Sequence, residues 1–311
     1  MDVMGAYESY VSAVQSGSLS GAARQRCMTQ SAISQQISAL ENQLNTRLLT
    51  RNRHGVRMTQ SGETVFKHAA AILEEQANLK SALENLTGKI EGQLVVTANL
   101  AFCQHIMGEV IIELSQQLPD LKIILRADDR IMDLAAENID FALRSGAVGD
   151  GNGVVRKIGT MSILHVATPE YLNTVGRPNM PSDLINLDYI QYKSTDDRIA
   201  TPLLYGNDAI QAPIKIGLTA QFPEMMFQAL NGNLGYAKVP EFLVLDALKN
   251  GQLEVVLPDW KIPDKDVFFV YSSRENRSPR IIALLHALLK RLEATKGVNL
   301  VASAKQLLLS H

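Results

Sequence analysis

The sequence has only two cysteines among its 311 residues, and it has no long apolar run. Cys27 and Cys103 lie far apart along the chain, which excludes a disulfide framework and a cysteine-rich metal site, so we expect both thiols to be reduced. No apolar segment reaches the roughly 20 residues that a membrane-spanning helix needs. The first ten residues also lack the basic segment and apolar core of a secretion signal. These absences predict a cytoplasmic protein without a membrane partner.

The sequence also lacks the motifs of the common enzyme classes. It contains no GxSxG, no HExxH, no phosphate-binding P-loop and no dinucleotide-binding glycine motif. Its six histidines do not show the spacing of a metal-ligand set. We therefore predict no catalytic residue, no metal and no cofactor.

Hydrophobic residues make up 46% of the chain and charged residues 20%, a balance typical of globular proteins. The length suits two or three units of ordinary domain size. The total charge is −2, but the first sixty residues hold six arginines against three carboxylates, a net of +3. A basic N-terminal part joined to an acidic remainder indicates an anionic partner at one end, although a charge of this size is weak evidence alone.

The first sixty residues predict three helices. Apolar residues recur at steps of three and four from Met4 to Val14, and the pattern stops at Gly17, as at a helix C-terminus. Ser20 is predicted to cap a short second helix, and Thr29 to cap a third. The third helix has a regular apolar stripe, which consists of Ile33, Ile37, Leu40 and Leu44.

The opposite face of the third helix carries short or flexible hydrogen-bonding side chains with almost no charge. Such groups match the donors and acceptors of base edges in the major groove of DNA, since glutamine can pair with adenine and serine can donate or accept. The alternative is that these residues merely solvate an outer face. The residues are Gln30, Ser31, Ser34, Gln35 and Ser38.

A basic hairpin is predicted after this helix. Residues 51–57 read as two short strands with Gly55 at the turn. Three arginines in this segment would lie where phosphates flank the groove, and would supply affinity without sequence information. Helix, tight turn, polar helix and basic hairpin together predict a winged helix-turn-helix that binds double-stranded DNA.

At this point the sequence resembles the LysR-type transcriptional regulators. The resemblance rests on Gly17–Ala23, Thr29–Glu41, Leu48–Arg51 and Met58–Gly62. Two positions depart from the family pattern: Arg26 stands where the family usually has a buried leucine, and Gln35 where an arginine is common. The DNA contacts that the resemblance and the residue chemistry imply are Thr29, Gln30, Ser31, Ser34, Gln35, Arg51, Arg53 and Arg57.

Residues 59–90 predict one long helix, capped by Thr59 and free of proline. Its apolar positions alternate steps of four and three, the spacing of a coiled-coil seam. Either the seam pairs with a second copy of the chain or it packs on the chain's own domains. The resemblance implies a homodimer through this helix, often assembled into a homotetramer. The seam consists of Val65, Ala69, Ile72, Gln76, Leu79, Leu83 and Leu86.

Strand and helix patterns alternate from residue 91 onward, which predicts two α/β lobes with largely parallel sheets. The fold class is thus multidomain α+β: a winged helix-turn-helix over 1–58, the linker helix over 59–90 and an effector-binding domain over 91–295. Lobe I would span 91–161 and 267–295, lobe II 162–266, and 296–311 a tail or a short extra helix. This part resembles periplasmic solute-binding proteins and the LysR effector domain at Pro169–Leu172, Asp183–Leu184, Gly235, Pro240, Gly251–Leu253 and Leu257–Trp260.

The resemblance implies a small-molecule effector between the lobes, and donors at a helix N-terminus suit an anion. The alternative is that Thr97 and Asn99 only cap the helix that follows. Lys238 either meets an anionic effector or points to solvent, and Cys103 is either a redox sensor or an inert buried thiol. The implied effector contacts are Thr97, Ala98, Asn99, Leu100, Ala101, Phe102, Arg144, Ser145, Thr168, Gln221 and Phe222.

The sequence therefore predicts a DNA-binding transcriptional regulator whose promoter binding or bending responds to an effector, with RNA polymerase as a further candidate partner. An enzyme is disfavoured by the missing motifs. A solute-binding protein without a nucleic-acid role is disfavoured by the basic N-terminal unit and the missing secretion signal.

Overall fold

The structure is a computed structural model of the chain. It describes residues 2–52, 55–87, 90–130, 139–146, 153–192, 201–205, 208–272 and 278–309, together with residues 134, 137 and 148.

The N-terminal unit consists of three helices and a hairpin. Asp2 and Thr29 cap the first and third helices through their side chains, as does Ser18 for the second, where its hydroxyl accepts from Gly21 N at 2.9 Å. The prediction that Ser20 is this cap is therefore wrong; the extended backbone that a cap requires lies two residues earlier. The elements are α1 (Val3–Gln15), α2 (Leu19–Gln25), α3 (Gln30–Gln43), β1 (Leu49–Asn52) and β2 (Gly55–Met58).

The predicted apolar stripes form the core of this unit. The stripe of α3 is fully buried except for Leu44, which follows the helix as its C-cap and is 38% exposed. The antiparallel hairpin of β1 and β2, which we call the wing, is attached to the helices because Val56 N donates to Gly17 O at 2.9 Å. The largest buried side chains of the unit are Tyr10, Ile33, Ile37, Leu40 and Leu48.

The predicted linker helix is confirmed as α4 (Gln60–Thr87). The Thr59 hydroxyl accepts from Gly62 N at 3.0 Å, as expected of a helix cap. The buried Tyr10 hydroxyl donates to Gly62 O at 2.8 Å and so joins α1 to the first turn of α4. Ile72 and Leu79 are 41% and 61% exposed on this helix.

The remaining residues form two α/β lobes. The first stretch contains β3 (Gly92–Ala98), α5 (Leu100–Phe102), a π-helical turn (Cys103–Met107), α6 (Gly108–Gln117), β4 (Leu121–Ala127), β5 (Phe141–Ser145) and β6 (Gly153–Met161). The second contains β7 (Ile163–Ala167), α7 (Pro169–Val175), β8 (Asp188–Tyr192), β9 (Thr201–Tyr205), β10 (Asp208–Ala212), β11 (Lys215–Ala220), α8 (Pro223–Asn231), β12 (Tyr236–Pro240), α9 (Leu245–Lys249) and β13 (Glu254–Val255), with short 3-10 helices at Pro181–Asn186 and Glu241–Leu243. The last contains β14 (Lys265–Ser272), α10 (Pro279–Glu293), β15 (Val298–Leu300) and α11 (Ala302–Leu309).

Both sheets are mixed, which corrects the prediction of largely parallel sheets. Lobe I has the strand order β15-β6-β14-β5-β3-β4, and among its described pairs only β4 with β3 and β3 with β5 are parallel. Lobe II has the order β11-β8-β12-β7-β13, where β11 with β8 and β8 with β12 are parallel. Apolar strand patterns carry no information on strand direction, so the sequence could not distinguish the two cases.

The C-terminal segment belongs to lobe I: of the two predicted alternatives for 296–311, α11 is the short extra helix, and the loose tail is wrong. β15 pairs with β6 in the sheet, and Val298 and Ala304 are buried in the same apolar cluster as α10. The predicted helix over 131–137 falls largely outside the described residues. Within the described part of the chain, no helix is long and apolar enough to cross a membrane. The same residues include no group of three or more histidine, cysteine, aspartate or glutamate side chains that could hold a metal ion.

Candidate DNA-binding face and effector site

The N-terminal half of α3 presents an uncharged polar surface. Thr29 caps the helix by accepting from Ala32 N at 3.2 Å, and its hydroxyl lies 3.0 Å from that of Ser31. We define the reading face as Gln30, Ser31, Ser34 and Gln35. Ser34 is half-buried, and the other three side chains are exposed.

One residue of the reading face is held from the neighbouring helix. The Ser20 hydroxyl of α2 donates to Gln30 Oε1 at 3.1 Å. Because the oxygen of the Gln30 amide is occupied by this bond, its amide nitrogen is the group that Gln30 can offer as a donor. Gln35, further along α3, is exposed and can offer both a donor and an acceptor. The face can therefore offer hydrogen bonds of both kinds to base edges.

The wing follows α3 and is held by a buried carboxylate. Glu41 is 5% exposed, and its Oε1 accepts from Leu48 N at 2.7 Å and from Leu49 N at 3.1 Å. Arg57 is exposed on β2. Arg51 lies in β1, although its side chain is outside the description, and Arg53 is outside the described residues.

Among the N-terminal arginines whose side chains are described, two face carboxylates of their own unit. Arg26 pairs with Glu8, and Arg47 Nη1 lies 3.6 Å from Glu41 Oε2. The count of basic residues in the sequence therefore overstates the charge available to an anionic partner. Sequence reasoning missed the role of Glu41, whose only signal is a carboxylate near the end of an amphipathic helix.

The carboxyl ends of the parallel strands face each other across the lobe boundary. In lobe I the segments after β3, β4 and β5 meet at one edge of the sheet, and in lobe II those after β8, β11 and β12 do so. Side chains from the two edges are in contact, as described below. Ligands of α/β proteins commonly bind at such edges.

The predicted lobe I residues are linked by hydrogen bonds. Asn99 Oδ1 accepts from Ser145 N at 3.2 Å, which joins the ends of β3 and β5. Arg144 Nη2 donates to Thr97 Oγ1 at 3.3 Å, and its Nη1 donates to Asp128 O. Arg144 is 8% exposed, and this burial lowers the pKa of its guanidinium.

Asp129 occupies the donors at which an anionic effector was predicted. Its Oδ1 accepts from Asn99 Nδ2 at 3.0 Å and from Leu100 N at 3.2 Å, and its Oδ2 accepts from the Tyr192 hydroxyl of lobe II. Burial, and next the hydrogen bond to Asp129, raise the pKa of Tyr192, so the phenol stays protonated as the donor. Sequence reasoning missed both residues, although Asp129 lies two residues after the end of β4.

A second contact joins the lobes beside the first. Gln104 Nε2, in the π-helical turn, donates to Glu224 Oε1 at the start of α8. That hydrogen bond lowers the pKa of Glu224. Gln221 and Phe222 lie immediately before α8 and are exposed, with Phe222 at 61%. Gln221 and Phe222 thus adjoin the lobe boundary.

The remaining predicted residues lie at the opposite edge of the lobe II sheet or are buried or half-buried. Thr168 follows β7, which runs antiparallel to β12, so it lies at the edge of the lobe II sheet opposite Gln221. There its hydroxyl donates to Asn233 Oδ1, and it caps α7 by accepting from Tyr171 N. Ala98 is fully buried, and Phe102 is 2% exposed and stacks on Phe242 with 5.8 Å between ring centroids. Leu100 and Ala101 are half-buried.

Cys103 has the environment of an inert thiol. It is 8% exposed, and its Sγ donates to Ala98 O at 3.4 Å. Burial raises the pKa of the thiol to about 11. A thiol that stays protonated is a poor nucleophile, so this site favours burial over redox sensing.

Both the N-terminal and the C-terminal part of the chain match known protein families. Residues 5–63 match the family model of the bacterial regulatory helix-turn-helix protein, lysR family, and residues 87–293 match that of the LysR substrate binding domain. The probable HTH-type transcriptional regulator SinR of Salmonella typhimurium is 28% identical over 278 residues, which cover 87% of each chain.

Solved structures share the fold. The full-length Vibrio cholerae virulence activator AphB, a member of the LTTR protein family, is 22% identical with a TM-score of 0.58 and covers 92% of this chain and 98% of its own. Full-length LysG of Corynebacterium glutamicum with bound effector Arg is 20% identical with a TM-score of 0.59 and covers 94% of this chain and 98% of its own. Because two family models together match most of its length, this chain belongs to the LysR family of transcriptional regulators, which are DNA-binding and effector-binding proteins rather than enzymes.

Proposed function

We propose that the reading face of α3 enters the major groove and that the wing contacts the flanking phosphates. The observation that carries this proposal is the exposed, capped and uncharged N-terminal half of α3, beside an exposed arginine on β2. Glutamine and serine give the reading face donors and acceptors for base edges, whereas Arg57 supplies attraction to any sequence.

We propose further that two copies pair through α4 and present two reading faces to two half-sites. Ala69 of the seam is buried against Val11 of α1, so the first part of the seam packs on the chain's own N-terminal unit. Ile72 and Leu79 support pairing of the later part, because apolar side chains that stay exposed on a long helix are costly in water. A second kind of pairing, through the lobes, would join two such dimers into a homotetramer. RNA polymerase at the promoter is a further partner of a cytoplasmic regulator of this kind.

The effector site that we propose is the lobe boundary around Asn99, Ser145, Gln221 and Phe222. Exposed Phe222 supports it, since it offers apolar surface two residues before Glu224, which contacts Gln104 of lobe I. The predicted preference for an anion loses support, because a ligand carboxylate would have to displace Asp129 from Asn99 and Leu100. The Arg bound by LysG makes amino acids the first compounds to test.

The DNA proposal is tested with a duplex that the full-length protein selects from a random library. Gln35→Ala should weaken binding to the selected duplex and leave binding to a random duplex nearly unchanged. Arg57→Ala should weaken both, and should reduce the salt dependence by about one released counterion. A wild-type protein that selects no sequence would remove the proposed role of the reading face.

The effector proposal is tested by thermal denaturation of the full-length chain with amino acids and small carboxylates. A bound compound raises the melting temperature. Phe222→Ala should abolish that rise, whereas Leu234→Ala, which changes an exposed apolar residue beyond the far end of α8, should keep it. Equal rises in both variants would place the ligand elsewhere.

A further inference from the structure

Arg26 follows α2 as its C-cap and points into the N-terminal unit rather than out of it. Its side chain is 18% exposed, although arginine side chains at a turn are usually well solvated. The resemblance to the family indicates an apolar side chain at this position, so the arginine needs a physical reason.

The guanidinium of Arg26 bonds both helices that flank the turn. Nη1 donates to Gly5 O at 2.8 Å and to Gln36 Oε1 at 3.0 Å, and also to Ser9 Oγ. Nη2 donates to Glu8 Oε2. Arg26 therefore connects α1, through three residues, with α3, through Gln36.

Two of the groups that Arg26 joins, Gly5 and Ser9, are buried, whereas the Glu8 side chain is 45% exposed and Gln36 is half-buried. Ser9 is fully buried, and its hydroxyl donates to Gln36 Oε1, which also accepts from Arg26. The amide nitrogen of Gln36 also lies near Gly5 of α1, 3.4 Å from the position that a Cβ there would take. Buried polar groups with fixed partners permit only a narrow range of geometries, so this cluster defines how α3 lies against α1.

Gln36 adjoins the reading face in sequence, directly after Gln35. A shift of α3 along α1 would move Gln35 and Ser34 together, and hydrogen bonds to base edges fail when donor and acceptor separate by much more than 3 Å. We propose that Arg26 is a positioning residue for DNA reading: it sets the placement of the reading face through Gln36 without contacting DNA. This inference rests on the proposed role of the reading face.

Direct contact of Arg26 with a phosphate is the competing explanation. The ion pair with Glu8 argues against it, because a neutralised guanidinium gives little attraction to DNA. The two explanations differ in salt dependence: a phosphate contact releases a counterion, whereas a positioning residue does not.

The test compares full-length Arg26→Leu, Arg26→Lys and Arg24→Leu with wild type, on the selected duplex and on a random duplex over a range of salt. Arg24, exposed in the last turn of α2, is the matched control for loss of a charge. Arg26→Leu should lower the ratio of specific to random affinity about tenfold with an unchanged salt dependence. Arg26→Lys keeps the charge and should give an intermediate ratio.

Gln36→Leu provides a second route if Arg26→Leu does not fold. It should lower the same ratio, and the double variant Arg26→Lys, Gln36→Leu should lose no more than Gln36→Leu alone, because both residues act through one contact. Losses that multiply in the double variant would overturn the proposal. So would an unchanged ratio in every variant, or a weaker salt dependence in Arg26→Leu. Failure of the proposed function itself is distinguishable, since wild type would then show no preference for its selected duplex.

Discussion

The carboxylate of Asp129 in lobe I accepts a hydrogen bond from the hydroxyl of Tyr192 in lobe II. Tyr192 ends β8, and Asp129 lies two residues after the end of β4, so the contact joins the two edges where an effector is expected. Asp129 also accepts hydrogen bonds from Asn99 and Leu100, which follow β3. The contact between Asp129 and Tyr192 is therefore linked to the end of β3. The lobe boundary is therefore bridged by the protein's own groups.

Tyr192→Phe should lower the free energy of unfolding by about 1 to 2 kcal/mol, because it removes one hydrogen bond to a carboxylate. Urea denaturation of the full-length chain measures this loss. Tyr205→Phe removes a hydroxyl from a side chain that is 55% exposed and serves as the control. A loss in Tyr192→Phe no larger than in the control would show that the contact between the lobes contributes no stability.

Glu41→Ala should destabilise the N-terminal unit by about 2 kcal/mol, because two backbone N–H groups at the start of the wing lose their acceptor. Glu41→Gln should keep most of the stability, since one oxygen accepts both bonds and an amide oxygen can replace it. Thermal unfolding of both variants provides the comparison. If the two substitutions cost the same, the negative charge and not the acceptor holds the wing.

Gly62→Ala should destabilise the protein by about 2 kcal/mol or more, because a Cβ there would overlap the Leu48 carbonyl oxygen and lie 2.9 Å from the Tyr10 hydroxyl. Gly108→Ala is the matched control. Gly108 lies in α6, and a Cβ there would be 3.5 Å from the Cys103 carbonyl oxygen, an ordinary contact distance. The melting temperature should fall for the first variant and hold or rise for the second. A tolerated Gly62→Ala would mean that α1 and α4 are not packed as described.

His165 should make stability depend on pH. It is 2% exposed with no hydrogen-bond partner for either ring nitrogen among the described residues, and burial, with the charge of Lys238, lowers its pKa from 6.5 to about 3. As pH falls from 6.5 toward 3, the unfolded chain binds a proton that the folded chain does not. Stability from this group is thus retained above pH 6.5 and lost below it, by about 1.4 kcal/mol per pH unit.

His165→Phe removes this proton uptake and keeps a ring that can pack edge-on against Tyr236. The difference in unfolding free energy between wild type and variant, measured by urea denaturation at pH 7, 6 and 5, should shift in favour of the variant as the pH falls. A difference that stays constant across this range would show that His165 is hydrated or charged in the folded protein.

Local features of the fold could be predicted from the sequence, because they depend on neighbouring residues. The stripe from Ile33 to Leu40 and the cap at Thr29 define α3, and the long pattern after Thr59 defines α4. The error at Ser20 arose between two serines that are both suited to a cap. Only the backbone conformation at Ser18 decides between them.

Features that depend on long-range pairing could not be predicted. The family resemblance implied Thr168 as an effector contact, and the antiparallel course of β7 places it at the far edge. The bond between Asp129 and Tyr192 joins residues 63 positions apart, and no periodic pattern reports such a contact. The pairing of β15 with β6 likewise depends on a distant partner strand.

The central claim is that the reading face enters the DNA groove in a twofold assembly. The most direct measurement is DNA cleavage by an iron chelate attached to Ser31→Cys, in a full-length protein whose exposed Cys27 is replaced by serine. The same chelate on Asp246→Cys, at a strongly exposed position of α9, is the control. We predict two clusters of cuts in the selected duplex, related by twofold symmetry and separated by whole helical turns, only for the Ser31 conjugate. Cuts that are absent, or equal for both conjugates, would contradict the account.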